Sequence, residues 1–117
     1  MIVIYGIKTC GSVRKAIKFC KTNNIEFTFH DFRKTPLDPE KIKYFASKVD
    51  INLLLNNKGT RYRTLKLKEH NLNDDEKLQW LIKDNMLLKR PVVEYSTNNI
   101  LVAFDEAIYT QELCANN

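Results

Sequence analysis

Glycine and proline are scarce, three of each in 117 residues, and a chain so poor in both is not a disordered or low-complexity one. Long apolar stretches are missing as well. None approaches the ~20 residues needed to cross a bilayer. The opening run Ile2-Val3-Ile4-Tyr5 is interrupted by Gly6 and Lys8 and is too short for a secretory leader, so a cytoplasmic location is expected. There are three cysteines, an odd number without metal-ligand spacing, and neither a disulfide scaffold nor a zinc site is expected from them. In a reducing compartment the useful question is which thiol reacts.

What is present is an ordinary soluble composition, 44% hydrophobic, in a length that suits one domain able to bury a core. The net charge is +5. Its lysines, among them Lys15, Lys18, Lys41, Lys43, Lys48, Lys66 and Lys68, are spread along the chain and interleaved with acids. That pattern indicates a solvated surface rather than a nucleic-acid face. It also suits a small anionic thiol or an oxyanion as partner.

Residues 2–5 form a short β-branched strand pattern. From Ser12 the period changes, with Val13, Ala16, Ile17 and Cys20 on one helical face, and Thr22-Asn23-Asn24 stops that helix. Ile25, Phe27 and Phe29 alternate with polar residues as a second strand. Asp38-Pro39-Glu40 opens a helix with a capping acid and Pro at its first position, backed by Ile42, Phe45, Ala46 and Val49. Leu53-Leu54-Leu55 gives a short helical turn before a loop at Lys58-Gly59. Asn73 caps a helix with Leu78, Leu81 and Ile82 on its apolar face, its acids suiting the positive end of the dipole. Val92 to Tyr95 and Ile100 to Phe104 pair as a hairpin across Ser96-Thr97-Asn98-Asn99, and Asp105-Glu106 opens a last helix through Leu113.

The order is β-α-β, a helical stretch, then β-β-α. It predicts an α/β fold: a mixed sheet flanked by helices, with a right-handed parallel unit first. This is the order of thioredoxin-like folds, with a helical insertion over roughly 37–88.

Cys10 falls where the first strand has ended and the first helix begins. Unpaired N–H groups and the helix dipole favour a thiolate there. A thiol of pKa ~8.5 is a few per cent ionised at pH 7, whereas one lowered to about 6 is roughly 90% ionised. Lys8 and Arg14 add positive charge in sequence, and Gly11 is read as permitting close approach beside Ser12. Cys10 is therefore the expected nucleophile. Cys20 is expected in the core and Cys114 in the polar tail. Val13 stands where the second cysteine of a C-x-x-C pair would be, so any disulfide of Cys10 is expected with another molecule. His30, beside Asp31, is expected to be structural, and His70 to lie in an exposed loop.

The stretches YGIKTC at 5–10, FHDFR at 29–33, LLNNKGTRYRTL at 54–65, KRPVV at 89–93 and LVAFDEAIY at 101–109 resemble, in order and along nearly the whole chain, the ArsC-type arsenate reductases and their thioredoxin-like relatives, Spx and YffB-type proteins included. The likeness is nearest to the YffB-type branch. It implies Cys10 as catalytic cysteine and Arg90 as the arginine before the family's cis-proline, here Pro91. Arg63 matches an arginine of the YffB type and, with Asn56, is a further site candidate; Arg14, Gly11 and Ser12 join them by their place beside Cys10 in the sequence. The resemblance implies a thiol-dependent oxidoreductase with no bound cofactor, glutathione as co-substrate, and glutathione or a glutaredoxin resolving the cysteine adduct. The substrate would be a disulfide or a small oxyanion. Arsenate reductases of the family hold their oxyanion with three arginines. Asn56 takes one of those positions here and another falls near Ala103, which argues against efficient arsenate turnover. The alternative from a different class is an Spx-like regulator that binds RNA polymerase, with no membrane or direct nucleic-acid contact expected in either case.

Overall fold

The computed structural model describes residues 2–114, which divide into two compact units, 2–34 with 90–114, and 35–89. The first contains a four-stranded sheet of order β2-β1-β3-β4. Strand β1 (Ile2–Gly6) pairs parallel with β2 (Phe27–Asp31) and antiparallel with β3 (Val92–Tyr95), which forms a hairpin with β4 (Asn99–Val102). The register places Ile4 beside Phe29 and Val93, and Val93 beside Leu101. Alternation puts these four on one face of the sheet.

Helix α1 (Gly11–Thr22) covers that face with Val13, Ala16, Phe19 and Cys20. Its spacing is the helical period expected, with Phe19 added and Ile17 only partly buried. The helix stops where Asn23 returns its side-chain amide to the Phe19 carbonyl at 2.9 Å. Asn24 then adopts a left-handed φ of 56°, a conformation asparagine tolerates better than most residues. The Ile25 N–H closes onto the Cys20 carbonyl, and the strand begins at Phe27 instead of Ile25.

Three expectations at the end of the chain need correction. Strand β4 stops at Val102, because Ala103 takes a φ of 67° and turns the chain. Phe104 leaves the sheet and joins Phe19 and Tyr109 in an edge-to-face aromatic group. The last helix is α-helical only as α6 (Glu106–Tyr109), capped by Asp105, and continues with π-helical spacing through Thr110–Cys114. That wider turn carries Leu113 into the core and packs Cys114 against the cluster that holds Cys20. Cys114 is therefore part of the packing and not of a polar tail.

The unit Thr35–Lys89 is helical. In α2 (Pro39–Lys48) Ile42 and Phe45 are fully buried, while Asp38 caps with its carbonyl, not its carboxylate. Helix α3 (Ile51–Leu54) follows Asp50, whose side chain accepts from the Asn52 N–H. A third helix in this unit, α4 (Thr60–Thr64), follows the expected loop at Lys58-Gly59; the Arg63 N–H returns to the Gly59 carbonyl at 3.3 Å and Arg63 Nη1 to the Lys58 carbonyl at 2.9 Å. Helix α5 (Asp74–Lys83) starts with a reciprocal capping box between Asn73 and Glu76. Its expected face is buried at Leu81 and only partly at Leu78 and Ile82. Among the described residues no helix is long and apolar enough to cross a membrane. The β-α-β and β-β-α halves, joined in one mixed sheet with helices packed on it, make the fold thioredoxin-like.

Candidate active site

Strand β1 closes at Gly6, and the chain must turn to start α1. A Cβ on Gly6 would lie 2.5 Å from Val13 Cγ2, nearer than nonbonded carbons approach. Only glycine lets α1 settle against the end of the strand. Ile7 is buried behind the turn, Lys8 and Thr9 are exposed, and the Cys10 N–H returns to the Ile7 carbonyl at 3.3 Å. Cys10 itself is extended (φ −80°, ψ 126°), and its carbonyl accepts the Arg14 N–H at 3.1 Å as the first helical bond. It is thus the N-cap residue of α1, half-buried at the end of the sheet.

Partial burial pushes the Cys10 thiol up, and this is the largest single influence on it. Acting against it are the Val13 N–H, a hydrogen bond from the Arg90 side chain, the Ser12 N–H and the positive charge of Arg90. Together they win, and the thiol is held below its ordinary value. The neutral thiol closes no capping bond of its own. The helix N–H groups it faces favour the ionised sulfur, which is the form that reacts.

Arg90 arrives from far along the chain. It precedes β3, and its bond to Pro91 is cis. Pro91 is buried and its carbonyl accepts the Ala103 N–H at 2.8 Å. The proline's own carbonyl is therefore occupied within the hairpin. Half-buried Arg90 is the part of this loop that meets the sulfur.

The other candidates divide clearly. Ser12 contributes its backbone N–H. Arg14 is exposed and donates from Nε to the Lys8 carbonyl at 3.1 Å, bracing the strand-to-helix turn; the charge acting on Cys10 is that of Arg90. Gly11 has nothing within 4 Å of where its Cβ would be, so close approach does not require glycine there. The close approach belongs to Gly6, which sequence reasoning overlooked although a glycine closing a strand immediately ahead of a helix was a usable signal. Asn56 and Arg63 belong to the helical unit. The Asn56 N–H donates to Leu87 and its carbonyl accepts from Gly59, whereas Arg63 Nη1 donates to the Lys58 carbonyl at 2.9 Å. They build one turn around Gly59.

The remaining thiols are unlike Cys10. Cys20 is fully buried, and burial together with neighbouring Cys114 pushes it up to about 11. His30 packs its ring 5.3 Å from that of Tyr5, whose hydroxyl donates to Glu94, a structural setting. His70 is exposed but ends a short 3₁₀ turn, Leu67–His70.

A half-buried thiol at a helix N-terminus, facing an arginine from a cis-proline loop, is the geometry of a thiol-chemistry site. The family description of ArsC matches residues 5–111, and the chain belongs to the ArsC family. It is 33% identical over 110 residues to an uncharacterized protein of Haemophilus influenzae, covering 93% of this chain and 96% of the relative. It also resembles the global transcriptional regulator Spx of Lactiplantibacillus plantarum (26% identical; 80% and 72% covered) and the arsenate reductase of Escherichia coli K12 (27%; 79% and 67%). Among solved structures, a protein called YffB superposes with a TM-score of 0.89 at 26% identity, covering 97% of this chain and 99% of that one. A Staphylococcus aureus COL protein gives 0.79 at 34% identity, with 95% and 97% covered.

Proposed function

We propose that this chain is a thiol-dependent oxidoreductase of the ArsC family in which Cys10 is the nucleophile and glutathione or a glutaredoxin is the reductant. The observation that carries the reading is the depressed thiol of Cys10, set by the Ser12 and Val13 N–H groups and by Arg90. The Cys10 thiolate attacks one sulfur of a substrate disulfide. A new disulfide forms on Cys10, the substrate's S–S bond breaks, and the other half leaves as a thiolate. A glutathione thiolate then attacks the adduct, takes the substrate half into a glutathione mixed disulfide and returns Cys10 as thiolate. Val13 fills the place of a resolving cysteine and is fully buried, so the second thiol comes from outside.

Disulfides suit this site better than arsenate. A multiply charged oxyanion needs several cationic donors, each charge-assisted bond being worth about 1.5–3 kcal/mol, and Arg90 is the arginine that meets the sulfur. The second reading, an Spx-like regulator acting on RNA polymerase, is favoured by the likeness to Spx. It requires a protein surface and leaves the depressed thiol without a task.

Mass spectrometry after incubation with oxidised glutathione tests the proposal. One glutathione adduct is expected, on Cys10, absent from that position in Cys10→Ser. An adduct confined to Cys114 would assign the chemistry to the wrong sulfur.

A further inference from the structure

The first acid of the chain is Glu26, whereas Lys8, Arg14, Lys15, Lys18 and Lys21 all precede it. The helix makes this imbalance spatial. Arg14, Lys18 and Lys21 are separated by four and three residues, so they fall along one side of α1, with Lys15 on its flank. All four are exposed, and among the described residues none is held in an ion pair. Cys10 caps the end of this stripe and exposed Lys8 adjoins it. Beside the stripe a cleft of about 310 Å³ opens between α1 and the start of α6, lined by Lys15, Lys18, Phe19, Thr22, Phe104 and Glu106. Its wall is aromatic: the Phe19 and Phe104 rings stand 6.2 Å apart, and Tyr109 packs edge-to-face on both. The volume lies at the bottom of the ~300–1,000 Å³ range of small-molecule sites, which is room for a single large side chain.

We propose that this basic face of α1 and the adjoining cleft dock an acidic polypeptide that brings its sulfur to Cys10, seating one aromatic or aliphatic side chain against Phe19 and Phe104. The inference rests on the thiol chemistry proposed above and names the kind of partner that chemistry serves. A row of uncompensated cations steers an anionic partner and fixes its orientation more than it adds affinity, and here the row leads to the reactive sulfur. The apolar cleft is the reason to favour polypeptide over nucleic acid, since it offers an anchor for a side chain. Glu106 at its rim disfavours an anion inside it.

The test uses peptides whose single cysteine is a mixed disulfide with 5-thio-2-nitrobenzoate. One carries four glutamates and a phenylalanine, one four lysines and a phenylalanine, and one four glutamates with alanine in place of the phenylalanine. The Cys10 thiolate takes the peptide sulfur, and thionitrobenzoate departs as a coloured thiolate. At low ionic strength the acidic phenylalanine peptide is expected to react roughly tenfold faster than the basic one, with the ratio collapsing in high salt. It should also react several-fold faster than its alanine counterpart. In the double variant Lys18→Glu/Lys21→Glu most of the charge preference should disappear, while the rate with the neutral disulfide bis(2-hydroxyethyl) disulfide, followed as the adduct on Cys10 by mass spectrometry, is unchanged. Equal rates for acidic and basic peptides, or a preference that survives the double variant, would overturn the docking face. Equal rates for phenylalanine and alanine peptides would overturn the cleft as anchor. Failure of the neutral disulfide to react at Cys10 would instead remove the thiol reading itself. A labelled single-stranded oligonucleotide that binds more tightly than the acidic peptide, and is lost in the double variant, would give the face to nucleic acid and overturn the proposal.

Discussion

The guanidinium of Arg90 hydrogen-bonds the sulfur of Cys10, joining the residue before the cis-proline that leads into β3 to the N-cap residue of α1. It supplies both a donor and a positive charge, and both favour the thiolate. Replacing Arg90 with Gln removes the charge and the fork, and Arg90→Lys keeps the charge alone. The ionisation midpoint of Cys10 should rise in both, more in Gln than in Lys. Alkylation at pH 7 should slow by roughly 3–10-fold in the Gln variant. Unchanged rates in both would show that the helix N–H groups act alone.

Gly6 and Gly11 flank the same turn and should respond oppositely to alanine. At Gly6 the new methyl meets Val13 at 2.5 Å, so α1 must shift. A loss of about 1–3 kcal/mol is expected, as for overpacked cores, with slower Cys10 alkylation as its N-cap geometry loosens. At Gly11 the space is open and φ is not positive, so alanine should match or slightly raise the stability. Urea denaturation of the two variants checks this. Equal losses at both positions would contradict the packing described.

The thiols make opposite contributions to stability as pH changes. The folded midpoint of Cys10 is depressed, so its stabilisation is complete above the ordinary thiol value and is lost as pH falls through the folded midpoint. Cys20 is pushed up to about 11. The unfolded thiol ionises first, and stability is lost as pH rises from the ordinary thiol value toward that midpoint. Tyr95, raised to about 12 by burial and by Glu112, works in the same alkaline direction. Thermal melts across the alkaline range should therefore fall above about pH 9, with a shallower fall in Cys20→Ala. An equal slope in that variant would remove Cys20 from the account.

Much of this architecture was legible in the chain because the relevant signals are local. Val13, Ala16 and Cys20 mark the buried side of α1 by spacing alone, and Asn73 with Glu76 announces the start of α5. Strand β4 was read too long because Ala103 carries no residue-type signal for a left-handed turn. Its conformation comes from what holds it, the Pro91 carbonyl on its N–H and the Tyr109 hydroxyl on its carbonyl. Cys114 was misplaced for a related reason: a polar run of sequence says nothing about a widened helical turn that packs it on the core. At the site, Cys10 was readable from the strand-to-helix transition, whereas Arg90 was reached only through family likeness. The pairing of the two depends on β3 lying beside β1, a long-range fact. Charge near in sequence proved a poor guide, since Arg14 turns to the Lys8 carbonyl while the distant Arg90 acts on the sulfur.

The central claim is tested most directly by the rate of iodoacetamide alkylation at Cys10, followed residue by residue by mass spectrometry across a pH series. The account predicts a midpoint below that of free cysteine in the native protein, returning to the free value on unfolding. A native midpoint at or above the free value would contradict it.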